Sequence, residues 1–299
     1  MTDPFEAAAV VALLRRGERP WHHYAQLIEA AGSALALLEG SYEDPDEPEP
    51  LTLFPADEPV AEVDLGEIAR EIGQWESEGM ALVTVLDDDY PTNLRSIHNR
   101  PPLLFVRGRL LPADERSIAV VGTRKPTSAS LETTRRMAAG LVSAGYVVVS
   151  GLADGIDAEA HRTALEHGGR TVAIIGTGLQ RTYPAKHAAL QQRIGEEGAV
   201  VSQFWPDSPP TRTSFPMRNI VMSGFALATV VIEASAVSGA KMQARFALEH
   251  GRRVFLHRSL LEHPWARDYA SRPGTSVVDS ADQVVEQVEW IATADVLSL

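Results

Sequence analysis

The chain has 299 residues, 44% of them hydrophobic and 22% charged, which is an ordinary balance for one large folded core or a main core with a smaller partner. It has no cysteine, no apolar run of membrane-spanning length and no signal-peptide-like start, so disulfides, thiolate metal sites and membrane association are excluded and a cytoplasmic protein is expected. The net charge of −13 is unevenly placed: residues 1–115 carry 8 basic and 23 acidic side chains, residues 116–299 carry 19 and 17, so the larger part keeps the freedom to build a basic groove.

In chain order, residues 1–40 read as a small helical N-terminal domain of two or three short Ala- and Leu-rich helices. Residues 41–60 read as a linker, because five acids and three prolines within 43–50 cannot bury themselves. The remainder, 61–299, begins with a helical stretch, LGEIAREIGQWESEGM, and two candidate strands at Ala81–Leu86 and Leu103–Arg107.

From Ser117 strand and helix alternate. Strands are expected at SIAVVG, YVVVSG, TVAIIG, AVVSQF, ATVVIEA, RRVFLH and TSVVD, mostly continuous apolar runs suited to a sheet covered on both faces. Between them, Leu131, Thr134, Ala138, Leu141 and Val142 share one helical face, as do Ile156, Ala160 and Ala164. ALEHGGRTVAI and ALEHGRRVFL form a small internal repeat in which Gly168 and Gly251 suit the left-handed residue past a helix end. His167 and His250 then stand where the helix dipole favours a cation. The pattern predicts an α/β fold: an extended Rossmann-like, doubly wound, mostly parallel sheet with a small helical N-terminal domain.

Ligands in such sheets sit beyond the carboxyl ends of the strands, at glycine-rich turns that feed helix N-termini. Four turns qualify: VVGTRKPTSAS, with Ser128 or Ser130 as helix cap; VVVSGLADGIDAEAH; AIIGTGLQRTYP; and TSFPMRNIVMSG. Backbone N–H groups and arginines converging there make a phosphate-binding surface. Arg218, set among apolar neighbours, needs a partner if buried. One reading has it pairing with an internal acid, Asp157 or Glu233, and fastening the sheet; Asp157 also suits the first turn of its helix. No dinucleotide fingerprint, P-loop, HExxH, nucleophile elbow or histidine metal spacing occurs. No catalytic residue, metal or cofactor is therefore expected.

The motifs VVGTRKPT, VVVSGLADGIDAEAHRTAL, AIIGTGLQRTYP, SFPMRNIVMSG and VVIEASAVSGAKMQARFALEHGR stand in the order and spacing of the DNA processing protein A (DprA, or Smf) family, which residues 80–256 resemble. The resemblance implies an extended Rossmann domain that binds and protects single-stranded DNA and loads a RecA-type recombinase onto it in natural transformation and recombination. It also implies a homodimer and no catalysed reaction. Carried over by motif, Arg124 is the arginine of the first turn, with Lys125 beside it. Ser150, Gly151 and Gly176 line the pocket with backbone groups. Arg218 and Asn219 are the Arg-Asn of the FPxRN motif, with Arg218 expected to grip a DNA phosphate, Phe215 is a base-stacking aromatic, and Arg212 and Lys241 add charge nearby.

The sequence departs from the family pattern at Ile220, where an arginine is usual, at Gln203 for glutamate and at Gln243 for threonine. HRSLLEHPWARDYASRPGTS replaces the usual Val-Pro-Gly segment, and a C-terminal winged helix is not expected. Two other readings use the same crevice: a sensor of a nucleotide ligand, and an enzyme resembling the phosphoribohydrolases, for which the Pro-Gly-Gly-x-Gly-Thr turn is absent.

Overall fold

Residues 3–42 and 63–297 are described in a computed structural model of the protein; the acidic stretch expected as a linker over 41–60 lies almost wholly outside them. Each apolar run expected as a strand forms one. After β1 (Ala81–Thr84) and β2 (Leu103–Gly108) come β3 (Ser117–Val121), β4 (Val147–Ser150), β5 (Thr171–Ile174), β6 (Ala199–Ser202), β7 (Ala228–Val231), β8 (Arg253–His257) and β9 (Thr275–Val278). Every residue of β3 to β7 is buried, which is why these strands read as continuous apolar runs rather than alternating ones.

The sheet order is β1-β2-β6-β5-β4-β3-β7-β8-β9. Pairing is parallel from β6 through to β9. β2 runs antiparallel to β6, with Phe105 opposite Ser202. The chain steps outward from β3 to β6 and then returns to lay β7 against the other side of β3. That reversal of winding leaves a crevice at the carboxyl ends of β3 and its neighbours.

The chain divides into two units, Met1–Tyr90 with Pro101–Leu104, and Pro91–Arg100 with Phe105–Leu299. The first holds α1 (Pro4–Arg16), α2 (Trp21–Ala31), α3 (Ala34–Leu38) and α4 (Leu65–Ser77). Its helices are tied by polar contacts at their ends. Glu6 accepts from Ser33 Oγ and Ala34 N, both at 2.6 Å, which satisfies free donors at the start of α3. Arg15 meets Glu71 at 2.7 Å.

The second unit carries α5 (Thr92–Arg95), α6 (Ser128–Ser143), α7 (Ile156–Glu166), α8 (Ala188–Glu197), α9 (Ser214–Phe225), α10 (Gly239–Glu249), α11 (Pro264–Ala270) and α12 (Ala281–Leu297). Met137, Ala138 and Leu141 of α6 enter the core with Ile118, Val148 and Phe255. The cap of α6 is Thr127 rather than Ser128 or Ser130: its Oγ1 accepts from Ser130 N at 3.1 Å.

Gly168 and Gly251 follow their helices at φ +68° and +70°, as the repeat requires. The cation expected at His250 is not favoured. Burial, with His98 and Arg252 adding to it, lowers its pKa to about 4, and its Nδ1 lies 2.9 Å from Ser223 Oγ. Desolvation outweighs the helix dipole there.

Candidate functional site

Because β3 has neighbours wound in both directions, the turns after β3 and β4 meet the start of α9 and α10 at one edge of the sheet. The Thr123 turn is fixed between strands, with Thr123 N donating to Glu233 O at 2.7 Å and Thr123 O accepting from Ile156 N at 3.3 Å. Together these segments enclose a cavity of about 490 Å³ whose lining includes Arg124, Lys125, Arg212, Phe215, Arg218 and Asn219. A smaller one of about 40 Å³ adjoins it, lined by Gly151, Gly176, Tyr183 and again Arg124, Phe215 and Arg218. A third, of about 420 Å³, continues past Arg124 and Asp154 to Arg162, Lys186 and His187. Arg124 lines all three, so they lie side by side around its side chain, and together they make up a trough.

Arg218 is the floor of this trough. Helix α9 carries it inward until it is 6% exposed, and its Nη1 donates to Gly151 O at 2.5 Å and Ile174 O at 3.0 Å. The carbonyls at the ends of β4 and β5 therefore hold the guanidinium. Among the described residues no acid pairs with it within 4.0 Å. Glu233 is engaged elsewhere, accepting from Thr127 N at 3.0 Å. Asp157 acts at longer range: its carboxylate takes Gly151 N at 3.2 Å. Burial pushes the Asp157 pKa up, against Arg218 and backbone N–H groups that pull it down. Burial likewise lowers Arg218, with Asp157 opposing. For both groups desolvation exceeds their mutual attraction.

The glycines at the floor leave room for side chains. A Cβ on Gly151 would stand 1.5 Å from Arg218 Nη1, and one on Gly176 would stand 2.9 Å from the Phe215 ring. Phe215 is half-buried, with the Arg124 guanidinium 5.3 Å from its centroid and the Tyr183 ring at 5.7 Å, tilted by 44°. Arg124, Lys125 and Arg212 are exposed. Farther along, Asp154 meets Lys186 Nζ and His187 Nε2, each at 2.9 Å. The Lys186 contact is the main reason that its carboxyl sits below the usual range.

Eight of the ten residues singled out from sequence line the trough: Arg124, Lys125, Gly151, Gly176, Arg212, Phe215, Arg218 and Asn219. Ser150 does not. It is fully buried, paired with Ala173 in a strand flanked by β3 and β5, and its hydroxyl donates to Val120 O at 2.6 Å. Lys241 is outside the lining too. Its Nζ lies 5.7 Å and 5.9 Å from the Trp265 and Tyr269 rings, both supplied by the segment that replaces the family's Val-Pro-Gly. Trp265 Nε1 also donates to Ala234 O at 3.2 Å, so this replacement braces the loop after β7.

Sequence reasoning missed Tyr183, whose signal was an aromatic in the third glycine turn. It also missed the role of Gln243. That fully buried side chain lines the large cavity. With its amide set to suit both neighbours, it donates to Asn219 O at 3.0 Å and accepts from Ser223 N at 3.2 Å, which clamps α10 onto α9.

Comparison with known proteins gives a consistent answer. Protein Smf of Synechocystis sp. is 41% identical over 173 residues, which cover 56% of this chain and 44% of that protein; the chain thus spans less than half the length of that relative. The X-ray structure of DprA from Streptococcus pneumoniae matches with a TM-score of 0.65 at 33% identity, covering 74% of this chain and 80% of that one. DprA from Helicobacter pylori, a protein with a described single-stranded DNA binding mode, shares the fold at a TM-score of 0.62 and 23% identity, covering 69% of this chain and 95% of that one. The model of the family described as DNA recombination-mediator protein A matches residues 81–292, and the chain belongs to that family.

Proposed function

We propose that this chain is a single-stranded DNA-binding protein of the DprA type. It catalyses no reaction, shields single strands and passes them to a RecA-type recombinase, working as a homodimer in the cytoplasm during recombination and transformation. The observation that carries the reading is the trough: three adjacent cavities that share Arg124 in their lining, with exposed cations on the rim and the Phe215 ring inside. A run of cavities suits a polymer with repeating phosphates, and an aromatic face accepts any base. The reading is supported by the Helicobacter pylori relative that shares the fold, whose described ligand is single-stranded DNA.

A second reading, a nucleotide sensor, draws on the 490 Å³ cavity alone, whose volume falls within the range of small-ligand pockets. Fluorescence anisotropy of labelled oligo-dT across a salt series, with thymidine monophosphate as competitor, separates the two. Binding that weakens steeply with salt and resists the mononucleotide is expected. Saturable mononucleotide binding without oligo-dT binding would favour the sensor.

A further inference from the structure

Of the large apolar side chains that stay exposed among the described residues (Phe5, Leu111, Tyr183, Met217, Val237 and Trp290), Tyr183 is the one that lines the trough. It is 44% exposed, so much of its ring gains nothing from the protein's own core. The ring is nevertheless well placed. It shares the small cavity with Phe215 and Arg218, and its centroid is 5.7 Å from that of Phe215, inside the range of interacting aromatic pairs.

The loop that presents Tyr183 is fastened on both sides. Gly178 N donates to Ser208 O and Gln180 N to Pro206 O, each at 2.9 Å. Arg181 Nε reaches Asp207 O at 3.1 Å, and Gln191 Nε2 holds Arg181 O at 3.1 Å. The main chain leading into the ring is thus anchored before any ligand arrives, and just past it His187 N donates to Pro184 O at 3.0 Å, the arrangement a stacking group needs if ordering costs are not to cancel its gain.

We infer that Tyr183 is a second base-stacking residue, which takes a neighbouring base of the strand whose first base lies on Phe215. The inference rests on the single-stranded DNA reading above. A stacking residue contributes through the π-face of a base and leaves the phosphate contacts alone, which gives it a signature that neither a structural residue nor a phosphate ligand shares.

The test compares wild type, Tyr183→Ala and Tyr183→Phe on labelled oligo-dT and on an abasic strand of equal length, each across a salt series. Tyr183→Ala is expected to weaken oligo-dT binding roughly 5- to 150-fold with the salt slope unchanged. Tyr183→Phe should stay within about twofold, since the ring does the stacking. On the abasic strand wild type and Tyr183→Ala should bind alike. If wild type binds oligo-dT and Tyr183→Ala binds it equally well, or loses as much on the abasic strand, the inference is overturned and the DNA reading stands. If wild type shows no salt-sensitive oligo-dT binding, the DNA reading fails first and takes the inference with it.

Discussion

The trough has a floor and a rim, and both contain arginine. On the floor, Arg218 is spent on main-chain carbonyls at 2.5 Å and 3.0 Å, with Asp157, Asn219 and Gln243 buried around it. On the rim, Arg124, Lys125 and Arg212 stay exposed and free to exchange water for phosphate. The same side chain therefore stands in two settings, which under the proposed reading suit two jobs. A desolvated guanidinium with hydrogen bonds to fixed carbonyls sets the shape of the crevice, whereas a solvated one supplies long-range attraction and counterion release. Variants of the floor should act on folding first, and variants of the rim on binding alone.

The largest expected effect is at Gly151. Alanine there drives a Cβ to 1.5 Å from Arg218 Nη1 and forces a buried charge off its carbonyls without removing it. A loss of about 4 kcal/mol is expected, within the range for stranding a buried charge, read as a fall in the urea midpoint. Arg218→Leu should cost less, about 2 kcal/mol, because it removes the charge, leaving two carbonyls short of a donor and an Asp157 that burial already biases toward its neutral form. Should Arg218→Leu prove as stable as wild type while losing oligo-dT, the guanidinium belongs to the rim class and the division drawn here fails.

Acid provides a third test of the floor. His161 is fully buried beneath it, with Nδ1 2.7 Å from Thr171 Oγ1, and burial lowers its pKa to about 3. The unfolded chain binds a proton near the ordinary value of 6.5, so between these values the unfolded state holds more protons. His161 thus contributes stability that is present above pH 6.5 and is lost as pH falls toward 3. His250, lowered to about 4, acts in the same sense. Asp157, raised by burial, has the opposite sign: its contribution is present at low pH and is lost as pH rises. Thermal melts from pH 7 to 4 should fall less steeply for His161→Gln than for wild type; parallel curves would show that the imidazole is solvated.

Sequence revealed the sheet and most of the rim because both depend on local signals. Continuous apolar runs identified β3 to β7, and the FPxRN and glycine turns placed Arg124, Phe215 and Arg218 at one edge. What it could not resolve were contacts between segments distant in the chain. The carbonyl partners of Arg218 lie 67 and 44 residues away, whereas residue type and motif point to a DNA phosphate or an internal acid. Its motif places Ser150 in the pocket, yet it is fully buried and its hydroxyl turns back to Val120. Gln243 and Trp265 looked like losses from a family pattern. In the fold, one clamps α9 and the other braces the loop after β7, a compensation visible only once the helices are packed.

The smallest effect on folding, and the most selective on binding, belongs to the rim. Arg124 and Arg212 are exposed, and surface substitutions of this kind usually change stability by less than about 0.5 kcal/mol. Their urea midpoints should therefore match wild type. On single-stranded DNA each phosphate neutralised contributes about 0.7 to the slope of log K against log salt. Arg124→Ala and Arg212→Ala should each lower that slope by about 0.7, and the double variant by roughly twice as much if the two cations contact separate phosphates. Arg124 adds a further distinction, since its guanidinium lies 5.3 Å from the Phe215 centroid: Arg124→Lys should restore the slope while leaving affinity below wild type, because lysine keeps the charge and loses the planar group over the ring. A slope unchanged in Arg124→Ala would mean that its charge faces the ring and water, and that the phosphates are held elsewhere along the trough.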